Sequence, residues 1–317
     1  MFISEEWGEG VFRYTITNGE YSASVLNLGA ILQGFSFKGH DVVLGFDSLE
    51  GYRSQTGYMG QVVGPIANRI ENGSFDVDGK HYQLHRNENG KTTLHSTAMN
   101  FGDRLWKMTG HSDASVTLSL AAKPQGGFDQ TFEVMVTYFL TEDGLLILDY
   151  QVMSDGRCPI NITNHAYFNL GEGDVRDTVL KFPGSKYVET DSDLIARAEV
   201  DSIGTDFDFN EAHAIGERRD GKYDTCFKLD GMLVAEKNGL RLSMRTTMPS
   251  FQLYTAEFLS STLNGKGGRP YQAFDGFALE SSYYPNFMNV DGFEGAYVEP
   301  GKLYRSTTTY KLEEISE

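Results

Sequence analysis

The sequence predicts an all-β chain of antiparallel strands, and three observations carry that expectation. Apolar and polar residues alternate at period two in run after run, turn dipeptides suited to positive φ separate the runs, and no long amphipathic helical stretch interrupts them. Val116, Leu118 and Leu120 form one clear set, followed by Phe132, Val134, Val136, Tyr138 and Leu140, then by Leu146, Leu148, Tyr150 and Val152. Each set points to one face of a strand, so each predicts a half-buried strand.

Hairpins are expected at Asp78-Gly79, Asp143-Gly144, Asp230-Gly231 and Asn238-Gly239, which have strand-like segments on both sides. Asn18-Gly19, Asn72-Gly73, Asn89-Gly90, Asp220-Gly221, Asp275-Gly276 and Asp291-Gly292 extend the same punctuation along the chain. The best helical candidate, positions 191–202, is short and rich in Asp and Val, and is read as a loop or at most a few turns. No linker, low-complexity tract or short repeat divides the 317 residues, so one domain spanning 1–317 is expected.

Composition narrows the function. With 44 acidic against 27 basic residues, the net charge of −17 repels nucleic acid and anionic lipid, so neither is expected as a partner. The two cysteines, Cys158 and Cys226, are read as buried free thiols, which fits a reducing compartment. The N-terminal segment lacks a basic region followed by an apolar run, and no apolar stretch is long enough to span a bilayer. A soluble cytoplasmic protein is expected, as a monomer or a homodimer.

No HxH, HExxH or paired CxxC spacing supports a metal, and no phosphate-binding glycine loop supports a nucleotide, so no cofactor is expected. What remains is a set of polar residues in apolar or aromatic settings: Asn68, Arg69, His95, His165, Asp224, Gln252 and Glu280. Glu280 lies in a strand-like run beside aromatic residues, where desolvation raises a carboxyl pKa and suits it to general base work. His165 stands in the asparagine-rich run at positions 161–170, and an imidazole titrates near neutrality with little tuning. Asn68, Arg69, Asp224 and Gln252 offer the fixed donors and acceptors that match several hydroxyl groups, which indicates a carbohydrate. Taken singly, each has an ordinary structural explanation. His40, His81, His85, His111 and His213 are left outside the site.

Several segments, in order, resemble the aldose 1-epimerases: GPIANRIENGSFDVDG at positions 64–79, NENG from Asn87, TLH ending at His95, and TNHAYFNL at positions 163–170. Tyr223-Asp224, FQLYT at positions 251–255, and the stretch from Leu279-Glu280 through Pro285 to Asn289 continue the match. The resemblance implies a large antiparallel β-sandwich of the galactose mutarotase type, with the site in an open groove. It further implies Glu280 as general base, His165 as general acid, His95 as an aid at the ring oxygen, and Asn68, Arg69, Tyr167, Asp224 and Gln252 as sugar-holding residues.

The implied reaction interconverts the α and β anomers of free aldohexoses of the galactose or glucose type, by ring opening, rotation about C1–C2 and reclosure. Hexose-6-phosphate epimerisation and sugar binding without turnover are the alternatives. Three departures from the family pattern bear on sugar preference. Ser96-Thr97 follows His95 in place of Gly-Gly, Pro65 replaces a common Arg, and Ala256-Glu257 replaces Gly-Asn. Side chains added after His95 are expected to narrow the groove, and Glu257 to offer it a further carboxylate.

Overall fold

A computed structural model describes residues 1–266 and 268–315. Nine strands form the largest sheet, in the order Lys107–Ser112, Ser115–Ala122, Phe132–Leu140, Leu145–Ser154, Tyr304–Glu314, Leu240–Thr246, Leu233–Lys237, Val179–Lys181 and His213–Ala214. Neighbours pair antiparallel throughout. The three alternating sets do what their period requires: Val116, Val136 and Leu148 are fully buried, while the residues between them reach solvent.

A six-stranded sheet runs Tyr167–Phe168, Phe277–Ser282, Ser250–Tyr254, Asp224–Lys228, Lys186–Thr190 and Ala196–Asp201. It lies against the nine-stranded sheet across a shared apolar core. Tyr310 packs against Phe168, its ring tilted with centroids 5.0 Å apart, and donates its hydroxyl to Leu279 O at 3.1 Å. A five-stranded sheet covering Phe2–Gly8 through His40–Asp41 closes on the same core, where Tyr138 Oη donates to Ala30 O at 2.6 Å. Burying each large apolar side chain in this interior contributes about 1.5–3 kcal/mol.

The turn expectations divide by sheet. Asp78-Gly79 and Asn238-Gly239 take positive φ at both residues and close two-residue hairpins. Asp230-Gly231 does not close a hairpin: the strands on its two sides belong to different sheets, and the turn carries the chain from one layer to the other. The 191–202 segment also departs from expectation. Positions 191–195 form a hairpin turn, and Ala196–Asp201 is an edge strand paired with Lys186–Thr190. The alternation of Ala196, Ala198 and Val200 with Arg197, Glu199 and Asp201 is a period-two signal that outweighs the Asp-rich turn before it.

Both cysteines are buried and free. Among the described residues, no helix is long and apolar enough to cross a membrane.

Candidate active site

Strand Phe277–Ser282 is buried along its whole length, between Tyr167–Phe168 on one side and Ser250–Tyr254 on the other. Its register sets Glu280 opposite Gln252, and Gln252 opposite Cys226, in one row across three strands. Asp224 lies two residues from Cys226 on the same face, so the sheet alone brings Glu280, Gln252 and Asp224 together.

His165 arrives from another direction. Its backbone N–H donates to Gln61 O at 2.8 Å and its carbonyl accepts from Gly60 N–H at 2.9 Å. The asparagines around it are occupied with irregular backbone: Asn164 Nδ2 donates to Gly60 O at 2.7 Å, and Asn161 exchanges bonds with the backbone of Tyr283. The asparagine-rich run thus satisfies buried peptide groups that no ladder reaches.

Asn68 and His95 meet where two short strands, Arg69–Ile70 and Thr93–Leu94, pair. Asn68 N–H donates to His95 Nδ1 at 3.2 Å, which makes Nδ1 an acceptor. Burial first, then the proximity of His165 and Arg69, hold the His95 pKa well below its ordinary value. The neutral ring therefore carries its proton on Nε2, and His95 offers a fixed hydrogen-bond donor.

These side chains converge on an open groove of about 870 Å³, mouth included, lined by Glu280, His165, His95, Asn68, Arg69, Tyr167 and Asp224. Glu280 and His165 are each 4% exposed and His95 5%, so they form the floor. His165 Nε2 stands 3.6 Å from Glu280 Oε1. Burial, reinforced by Asp224 and opposed by Arg69, pushes Glu280 up to about 8. Burial pulls His165 down to about 4, far from the near-neutral titration expected of an imidazole that needs no tuning. Its Nδ1 is buried without a partner, and a desolvated ring resists taking charge.

Donor atoms of His95, His165 and Glu280 lie within 4.8 Å of one another, a metal-like grouping that motif spacing along the chain does not reveal. The Asn68 bond opposes metal binding in this tautomer, because a nitrogen that carries hydrogen has no lone pair to give.

Arg69 is clamped rather than free. Its Nε and Nη2 donate to the two carboxylate oxygens of Glu88 at 2.8 and 2.9 Å, and its Nη1 reaches Asp224 Oδ2 at 3.4 Å. Glu88 lies in the NENG family segment, but its pairing with Arg69 from a separate loop leaves no local pattern in the sequence. Gln252 lines a small neighbouring cavity instead of the main groove, and its Nε2 holds Asp224 Oδ1 at 2.6 Å. Tyr58 is a residue the sequence did not flag: its ring stands edge-on to His95, with centroids 4.4 Å apart. Tyr167 turns its hydroxyl to Gly57 O at 3.0 Å and presents its ring beside His165. His40, His81, His85, His111 and His213 all lie away from the groove lining.

Comparison with known proteins agrees with this geometry. The aldose 1-epimerase family model matches residues 13–311. The chain belongs to the aldose 1-epimerase family. A galactose mutarotase from Bos taurus is 31% identical over 323 residues, covering 95% of this chain and 94% of the relative. An aldose 1-epimerase from Escherichia coli K12 is 31% identical, covering 94% and 91%. Among solved structures, an aldose epimerase homologue from C. elegans superposes with a TM-score of 0.90 at 28% identity, covering 95% of this chain and 98% of that one. The epimerase is accordingly an isomerase acting at C1 of an aldose, on the sandwich fold of its family.

Two expectations about its departures from the family pattern are corrected. Ser96 does not narrow the groove: it is fully buried, and its hydroxyl accepts from Ile66 N–H at 2.8 Å and donates to Ile66 O at 2.9 Å. Glu257 does not offer the groove a carboxylate, because it is paired with Lys222 at 2.7 Å. Pro65, like Thr97, is absent from the groove lining.

Proposed function

We propose that this epimerase interconverts the α and β anomers of free aldohexoses of the galactose and glucose type. Glu280 takes the proton of the anomeric hydroxyl, His165 protonates the ring oxygen, and His95 Nε2–H steadies the oxygen on which charge develops. The observation that carries the reading is the Glu280–His165 contact at 3.6 Å on the groove floor, with the pair sharing one proton near neutral pH.

Burial keeps that proton on Glu280 in the free protein. Ring opening needs it on His165, and after the step Glu280 is protonated and His165 neutral. The resting distribution therefore matches the open-chain stage, and the hydroxyl groups of a bound cyclic sugar must draw the proton to His165. Reclosure on the other carbonyl face, after rotation about C1–C2, returns the opposite anomer. The pair titrates as a unit, so activity should span a window with limbs near the two apparent pKa values.

Arg69, Asp224 and Asn68 hold the sugar hydroxyls, with Glu88 and Gln252 holding Arg69 and Asp224. A hexose 6-phosphate is disfavoured: among the described lining residues Arg69 is the only Lys or Arg, and it is already engaged by two carboxylates. The two buried free thiols support a reducing, cytoplasmic setting. One apolar core drawing on residues from Tyr14 to Leu312 supports a single domain.

The test is polarimetry of freshly dissolved α-D-galactose, α-D-glucose and glucose 6-phosphate, with and without catalytic protein. Acceleration for the free sugars and none for the phosphate is expected. Selective acceleration of the phosphate would replace this substrate assignment, and silence on all three would favour binding without turnover.

A further inference from the structure

The free protein rests in the proton distribution of the open-chain stage. Burial keeps a proton on Glu280, pushed up to about 8, and off His165, pulled down to about 4. We propose that the same groove has a second activity, the reversible hydration of short polyhydroxy aldehydes, with water in the place of the ring-forming hydroxyl. The inference rests on the acid/base roles proposed above and extends them to substrates that close no ring.

Adding water to an aldehyde is the ring-closing step with its nucleophile cut loose. A lone pair of the water oxygen forms the new bond to C1 while the carbonyl π pair moves onto its oxygen. Glu280 gives that oxygen a proton and His165 Nε2 takes one from the water, leaving a gem-diol, a carboxylate and an imidazolium. His165 Nε2 and Glu280 Oε1 stand 3.6 Å apart, so the proton passes back from His165 to Glu280 and the pair is reset. The balance is complete with water and the aldehyde, and dehydration runs through the same steps in reverse.

Three features of the groove support the reaction. First, Glu280 and His165 are each 4% exposed on the floor, so an aldehyde must enter with C1 inward, while the mouth above them is open to water. Phe258 and Leu194, which line that mouth, are 78% and 36% exposed, and the groove measures about 870 Å³ with its mouth included. A three-carbon aldehyde lacks the O5 and outer carbons that a hexose brings, so water reaches the position beside His165. Second, the His95 ring is fixed by Asn68 N–H on Nδ1 at 3.2 Å, and its Nε2–H meets the oxygen that gains charge. Third, Asn68, Arg69 and Asp224 line the same groove and match the remaining hydroxyl groups, which favours polyhydroxy aldehydes over plain ones.

The test uses dilute D-glyceraldehyde labelled at C1, whose chain is too short for a furanose or pyranose ring. Magnetisation transfer between its aldehyde and gem-diol signals is followed by NMR. Catalytic amounts of the unmodified protein should raise this exchange about tenfold or more, by less than the gain on galactose, because water lacks the proximity of a tethered hydroxyl. Propanal, which offers no hydroxyl groups, should gain less. Galactose should suppress the glyceraldehyde exchange competitively, and Glu280→Gln should return it to the protein-free rate. Anomer exchange of galactose with no gain on glyceraldehyde, a gain kept in Glu280→Gln, or a gain untouched by saturating galactose would overturn the second activity. Failure of the unmodified protein on galactose and glucose alike would instead remove the acid/base reading beneath it.

Discussion

From position 107 to 154 the chain is regular, and around the groove it is not. In the first region four successive strands pair with their sequence neighbours, and the last three of them each bury one face. In the second, the strands bearing Arg69, Asn164 and Tyr167 are two residues long, and Tyr58, Asn68, His95, Ser96, Thr97 and Ala256 all take positive φ. Buried polar atoms without a partner occur in both regions, Tyr150 Oη in the first and His165 Nδ1 and Gln252 Oε1 in the second, but only the second places them beside ionisable groups that line a groove. The back of the sandwich buries regular apolar faces, while the groove concentrates left-handed backbone and desolvated groups that the proposed chemistry would use.

The largest expected effect separates activity from stability at one residue. Glu280→Gln should lower kcat by about 10²–10⁴ while raising Tm at neutral and alkaline pH, because it removes a carboxyl that resists ionising. Polarimetry and thermal unfolding of the same sample check both halves. A loss of both activity and stability would place Glu280 with the structural residues and erase the contrast.

The opposite substitution lies in the back sheet. Leu148→Ala leaves a cavity in a fully buried site and should cost about 2–5 kcal/mol in denaturant unfolding, with KM unchanged in the protein that remains folded. A shifted KM would mean that the two regions are not separable.

The pH dependence of stability sharpens the comparison further. Between 4.5 and about 8, folded Glu280 keeps a proton that the unfolded chain has lost, so its contribution falls as pH rises through that window. Folded His165 lacks a proton that the unfolded chain carries between about 4 and 6.5, so its contribution rises with pH there. The two oppose each other up to 6.5, and above it Glu280 acts alone. Stability should therefore fall from pH 6.5 to about 8 in the unmodified protein, and this fall should be absent in Glu280→Gln.

Smaller effects follow at the supports. Glu88→Gln loosens the clamp on Arg69 and should raise KM roughly tenfold with a lesser effect on kcat, about one charge-assisted hydrogen bond. The smallest lies in the strained turn: Thr97→Gly relieves a β-branched residue at φ +46° and should add about 1 kcal/mol of stability. No gain would show that the left-handed turn after His95 carries little strain.

The back sheet was legible in the sequence because its information is local. Val136 and Leu148 announce their faces by period two, and Asn238-Gly239 announces its hairpin by residue type. Positions 191–202 were misread because an Asp-rich turn masked the alternation that follows it. Of the site, the residue types and the family segments pointed to Glu280, His165, His95, Asn68, Arg69, Tyr167 and Asp224, all of which reach one groove.

Short-range order along the chain carries the all-β pattern and the identity of the polar residues. Tertiary structure decided the rest. It placed Gln252 behind Asp224, gave Arg69 a partner in Glu88, sent Glu257 to Lys222, and set the tautomer of His95 through a backbone N–H of Asn68. It also moved His165 and Glu280 away from their ordinary titration in opposite directions. The physical reason is common to all of these: hydrogen bonding, burial and charge act over a few ångströms of space, and the residues that supply them lie tens to hundreds of positions apart along the chain.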